Sequence, residues 1–180
     1  MDAVMVFSTR YVVYLLGLLA LVPWVSNRLK GREWAKSNCA WRMPLAGFLA
    51  AVASFGGNWL ISLLWFRDRP FRVLEEADLL ISPPLTAHAF PSSHSAVAFA
   101  VVFAVVFFHR RYGLALVALA VLVAFSRVFV GVHYPSDVVI GALLGGGWAA
   151  LFSRLFGAGK CLWSSVRQVN LKLEEGKERQ

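Results

Sequence analysis

Five long apolar runs broken by short polar connections constrain this chain more than any other feature. They lie at about Ala3–Val25, Pro44–Phe66, His94–Phe108, Leu114–Val132 and Asp137–Phe156. A membrane-crossing helix needs about 20 mostly apolar residues. Run length argues helix over buried strand, and in lipid each segment must satisfy its own backbone hydrogen bonds. Hydrophobic residues make up 58% of the 180 positions and charged residues 16%. A soluble domain carries about 25% charged residues, so a soluble enzyme, a disordered chain and a disulfide scaffold are excluded. The third run is short, which leaves its ends open. The expected fold is an all-α integral membrane protein, a bundle of five transmembrane helices. One domain is expected over 1–160, with an amphipathic or disordered cytoplasmic tail over 161–180. In a helical tail, Leu162, Trp163, Val166, Val169 and Leu173 would form one apolar face. Asp2 and the lack of a small-residue cleavage site after the first run argue against a cleaved leader.

The net charge of +8 is distributed unevenly. Thirteen of the eighteen Lys and Arg fall in the connection after the first run, in the Arg110–Arg111 turn, and from Arg154 onward. Those segments share one side of a five-span bundle, and by the positive-inside rule that side is cytoplasmic. The expected partners are therefore the lipid bilayer and its anionic headgroups, and no nucleic acid. The expected location is a plasma membrane, crossed several times, with the remaining polar clusters on its outer face. Oligomeric state is not legible.

The opposite, outer side gathers the unusual polar residues. Arg67 and Arg69 follow the second run, and Pro91, Ser92, Ser93 and His94 open the third. Arg127 closes the fourth, and His133 precedes Asp137 at the start of the fifth. Two guanidiniums, Arg69 and Arg127, suit capture of phosphate oxygens. Ser92 and Ser93 stand where a helix should begin, and a helix N-terminus favours phosphate. His133 lies four residues before Asp137, so a carboxylate can hold one imidazole nitrogen and free the other as nucleophile. His94 is a second imidazole, suited to protonating a leaving oxygen. The reaction class is phosphoryl transfer by a histidine. The acidic residues form no oxygen cage for a metal, so no metal or other cofactor is expected. The alternatives are a small transporter, which would spread polarity through several spans, and a silent lipid-binding protein, which only the serine at position 62 supports.

In order and spacing, Arg69-Pro70, Pro91-Ser92-Ser93-His94 and Ser126-Arg127 with His133 and Asp137 resemble the three signature motifs of the type 2 phosphatidic acid phosphatase superfamily. The context from Phe66 to Phe71 and the compact size look most like its bacterial undecaprenyl-diphosphate phosphatases of the bacitracin-resistance type. The resemblance implies a metal-independent membrane lipid phosphatase. His133 would form a phosphohistidine with Asp137 polarising it, and His94 would protonate the leaving group. Arg69, Ser92, Ser93 and Arg127 would hold the phosphoryl oxygens. The implied substrate is undecaprenyl diphosphate; phosphatidylglycerol phosphate, phosphatidate and lipid A are the alternatives.

Two positions depart from the superfamily pattern. Ser62 stands where a lysine is usual, seven residues before Arg69, and Ser93 replaces a glycine. A serine about 10 Å below Arg69 is too short to reach its phosphate. Asn58, Ser62, Arg67 and Arg10 are further candidate substrate contacts. Arg10 is an intramembrane charge, Asn58 and Ser62 share a helix face, and Arg67 could replace the lysine if the helix ends before it. Arg72, Glu75, Glu76 and Asp78 are expected to form a solvated loop over the site. Gly141, Gly145, Gly146 and Gly147 are expected to allow close helix packing.

Overall fold

The computed structural model describes residues 1–29, 39–74, 79–84 and 88–158. The expected loop residues Lys30, Arg32, Glu33 and Lys36, the acidic Glu75, Glu76 and Asp78, and the tail from Cys161 lie outside those described. Among the described residues all regular structure is helical. Helix α1 spans Asp2–Leu29, α2 Cys39–Leu64, α3 Pro70–Val73, α4 Ser93–Phe108, α5 Arg110–Phe129 and α6 Pro135–Leu155. Four of these, α1, α2, α5 and α6, are long and apolar enough to cross a membrane. Helix α4 has 16 residues and rises only about 24 Å.

Its position accounts for that length. Helix α4 packs against α1, α2, α5 and α6, most extensively against α6, so longer helices surround it. Lipid tails are as apolar as leucine, so helix association relies on close packing, for which small residues are suited. Ala96, Ala98, Ala100 and Ala104 of α4 are buried, with Ala46 and Ala50 of α2 and Ala149 of α6. A methyl group added at Gly141 would lie 2.5 Å from the Ser92 carbonyl oxygen, and one at Gly145 would strike the Ala96 backbone. These two glycines hold α6 against the start of α4. Gly147 does not share that role, because a side chain there would meet open space.

The two ends of the bundle differ. At one end Arg28 lies 5.2 Å over the Trp41 ring, Arg42 donates to the Phe156 carbonyl, and the α4–α5 turn carries Arg110 and Arg111. At the other end, α2 stops at Leu64, residues 65–69 lie outside any helix, and Arg69 is extended at φ −75° and ψ 148°. Pro70 then opens the single turn of α3. Arg67, Arg69, His94, Arg127 and His133 share this second end.

Candidate active site

The loop after α5 is built to present His133. Gly131 has φ 76°, a conformation open to glycine, and reverses the chain beyond Val130. Its carbonyl accepts the Phe71 N–H at 3.2 Å. Arg69, 4% exposed, donates from Nη1 to the Val132 carbonyl at 3.0 Å. These bonds tie the α3 segment to the His133 loop. Burial, then the nearby Arg72, lowers the Arg69 pKa to about 10, with Asp137 opposing them, so Arg69 stays cationic at neutral pH.

His133 Nδ1 lies 2.6 Å from the Ala89 carbonyl oxygen. A carbonyl can only accept, so Nδ1 carries the proton and the neutral ring has a free lone pair on Nε2. The Asp137 carboxylate is 3.7 Å from the same Nδ1, too long for a hydrogen bond. The expected direct His133–Asp137 hold is thus divided: Ala89 sets the tautomer, and Asp137 adds negative charge nearby. Burial lowers the His133 pKa from the usual imidazole range; Asp137 and the Ala89 carbonyl oppose that shift, while Arg127 and Arg69 reinforce it.

Asp137 is fully buried and already engaged. Its Oδ2 accepts the Tyr134 N–H at 2.8 Å, while its own N–H donates to the Tyr134 carbonyl. That reciprocal cap starts α6, with Pro135 at the first position. Its Oδ1 accepts from Arg67 at 2.8 Å. Arg67 also donates to Ser136 Oγ and lies 3.9 Å over the Tyr134 ring. Because α2 has ended, Arg67 can reach across to α6, where it pairs with Asp137.

The opposite wall is the start of α4. Ser92 precedes the helix in extended conformation, yet its hydroxyl makes no capping bond and is buried without a partner. Its N–H donates to the Asp137 carbonyl at 3.1 Å, which fixes α4 to α6. Ser93 and His94 follow, half-buried. The guanidiniums of Arg127 and Arg69 and the His133 imidazole act electrostatically on His94. Arg127 is 5% exposed and donates from Nη1 to Thr9 Oγ1 of α1 at 2.7 Å. Its Nε has no hydrogen-bond partner. A cavity of about 490 Å³ opens beside His133, lined also by Asp2, Pro70, Leu80, Val128 and Tyr134. Among the described residues no three His, Cys, Asp or Glu side chains come together as a metal site.

The remaining candidates lie apart from this network. Ser62 donates to the Trp59 carbonyl of its own helix. Asn58 is 1% exposed, with both amide atoms unpartnered inside the bundle. Arg10 is exposed on the outside of α1; the adjacent Thr9 reaches the cluster instead. Sequence reading missed Thr9 and Ala89. The only hint was the odd charge at Arg10, one position from Thr9.

Comparison with known proteins identifies the family. The PAP2 superfamily profile matches residues 43–160. Undecaprenyl-diphosphatase BcrC of Bacillus subtilis is 34% identical over 77% of this chain and 66% of its own length. Bacitracin transport permease protein BcrC of Bacillus licheniformis is 31% identical over 81% and 66%. The chain thus spans just under two thirds of the length of these curated relatives. The crystal structure of Aquifex aeolicus LpxE superposes with a TM-score of 0.59 at 26% identity, covering 86% of this chain and 87% of that one. With its helical bundle and the extent of the profile match, this chain belongs to the PAP2 superfamily.

Proposed function

We propose that the protein is a membrane lipid phosphatase that hydrolyses undecaprenyl diphosphate to undecaprenyl phosphate and inorganic phosphate. The observation that carries the reading is the His133 Nδ1 to Ala89 carbonyl bond at 2.6 Å, which leaves Nε2 unprotonated beside two buried arginines. Nε2 attacks the terminal phosphorus, and the bond to the leaving lipid phosphate oxygen breaks. His94 gives that oxygen a proton. Water, deprotonated by His94, then cleaves the phosphohistidine and releases phosphate. Arg69, Arg127, the Ser92 hydroxyl and the backbone N–H groups from Ser93 onward stabilise charge on the transferring oxygens. Phosphoryl transfer depends mainly on such positioning and electrostatics. No step requires a metal.

The diphosphate substrate is favoured by the extent of the likeness. BcrC of Bacillus subtilis aligns with 77% of the chain, whereas a lipid A 1-phosphatase of Rhizobium etli aligns with 40%. By the positive-inside rule, the excess of Lys and Arg in the connections away from the site motifs supports a site on the outer face of a bacterial inner membrane, toward periplasm or exterior. The deciding experiment measures phosphate release by purified enzyme from undecaprenyl diphosphate, phosphatidylglycerol phosphate, phosphatidate and lipid A, with and without EDTA. The diphosphate should be hydrolysed fastest, with EDTA changing the rate less than about twofold. Faster release from another lipid would reassign the substrate, and a strict Mg²⁺ requirement would remove the metal-free mechanism.

A further inference from the structure

We infer that Thr9 of α1 is a positioning residue for Arg127, so that the first helix is part of the catalytic machinery; this rests on the phosphatase reading above. Helix α1 lies outside residues 43–160, the segment matched by the family profile. The contact is nevertheless buried, with Thr9 at 1% and Arg127 at 5% exposure. It joins residues 118 positions apart at 2.7 Å. Arg127 reaches the site from the last turn of α5 on a long side chain with several rotamers. Among the described residues Thr9 Oγ1 is its hydrogen-bond acceptor, which fixes the rotation of the guanidinium plane. Among the described residues the Arg127 Nε is buried without a partner, which leaves that donor for a phosphate oxygen.

The local structure of α1 serves this contact. Val12, Leu16 and Ala20 are buried at four-residue spacing. Above them, Ser8–Val12 form a π-helical turn. Both Ser8 and Thr9 face inward there, while Phe7, Arg10 and Tyr11 are exposed. Ser8 Oγ is satisfied within the helix by the Val4 carbonyl, whereas Thr9 Oγ1 reaches another helix. Single π-turns inside α-helices are frequent at functional sites. The kind of acceptor also matters. A carboxylate in this place would orient Arg127 but neutralise it, whereas a hydroxyl orients it and leaves its positive charge for phosphate.

The test compares Thr9→Val, which keeps the shape and loses the acceptor, with Thr9→Ser, which keeps the acceptor and loses a methyl. For a lipid diphosphate in detergent, Thr9→Val should lower kcat about tenfold, with KM moving less than about twofold if the lost contact acts mainly in the transition state. Thr9→Ser should restore most of the turnover. Should Thr9→Val fail to accumulate, Thr9→Ala replaces it against the same serine variant. In an Arg127→Lys background, Thr9→Val should cost less than about twofold, because the two changes remove one unit. Wild-type kcat in Thr9→Val, a serine variant worse than the valine one, or full additivity with Arg127→Lys would overturn the inference and leave the phosphatase reading intact. A wild-type protein inactive on every lipid phosphate and diphosphate would remove both.

Discussion

The two walls of the site are built differently. On the wall formed by the His133 loop, Arg67, Arg69, His133 and Asp137 are all held by groups of the fold. On the wall formed by the start of α4 and the end of α5, the Ser92 hydroxyl and Arg127 Nε are buried without partners among the described residues. A buried polar atom left unpaired costs roughly 1–3 kcal/mol, so the second wall gives up stability that the first retains. On the proposed mechanism the contrast separates two tasks: the first wall fixes where the nucleophile stands, and the second, where Thr9 holds only Arg127 Nη1, keeps donors for oxygens that arrive with the substrate.

Removing the nucleophile breaks the comparison most completely. His133→Ala should lower phosphate release about 10³-fold or more while detergent thermal stability changes little. His94→Ala should also be severely impaired, but less so on an aryl phosphate whose leaving group needs no proton. Full activity in His133→Ala would eliminate the mechanism. On the second wall, Arg127→Lys should cost about 10²–10³ in kcat, since an ammonium lacks the planar fork. Ser62→Ala, outside both walls, should cost less than about threefold. Equal losses in those two variants would place the phosphate deeper than the Arg69–Arg127 level.

The first wall can be sharpened by pH. His133 must be neutral to attack, and burial lowers its pKa despite the raising effect of Asp137. The acid limb of kcat/KM should therefore fall below the ordinary imidazole value of about 6.5. Asp137→Asn removes a group that raises the pKa, so the limb should move to still lower pH, with a rate loss of about tenfold at neutrality. A limb moving upward in that variant would contradict the assigned electrostatics.

The helices and most charged members of the site were legible because each left a local signal. Apolar runs of span length mark helices, and Arg127, His133 and Asp137 stand at such run ends with fixed spacing. What escaped depends on three-dimensional contacts. The partner of His133 is a backbone carbonyl, which any residue at position 89 would supply. Arg67 is drawn to Asp137 because α2 stops at Leu64, a boundary that the apolar run to Phe66 conceals. Thr9 faces inward beside a π-helical turn with no plain sequence mark, so the conspicuous Arg10 drew attention to the wrong side of the same turn.

The shortness of α4 bears on how deep the chemistry lies. Its far end joins α5 through His109, so, on the proposed membrane orientation, the shortfall against a hydrocarbon layer of about 30 Å would fall at Ser93. The floor of the proposed site would then be sunk below a rim set by its longer neighbours. A phosphate anchored on a bilayer lipid reaches that floor by staying at its natural depth, whereas a phosphate ester from bulk water has to shed solvent and descend. In the proposed lipid phosphatase, selection of embedded substrates would begin with immersion, before any contact with the lipid chain.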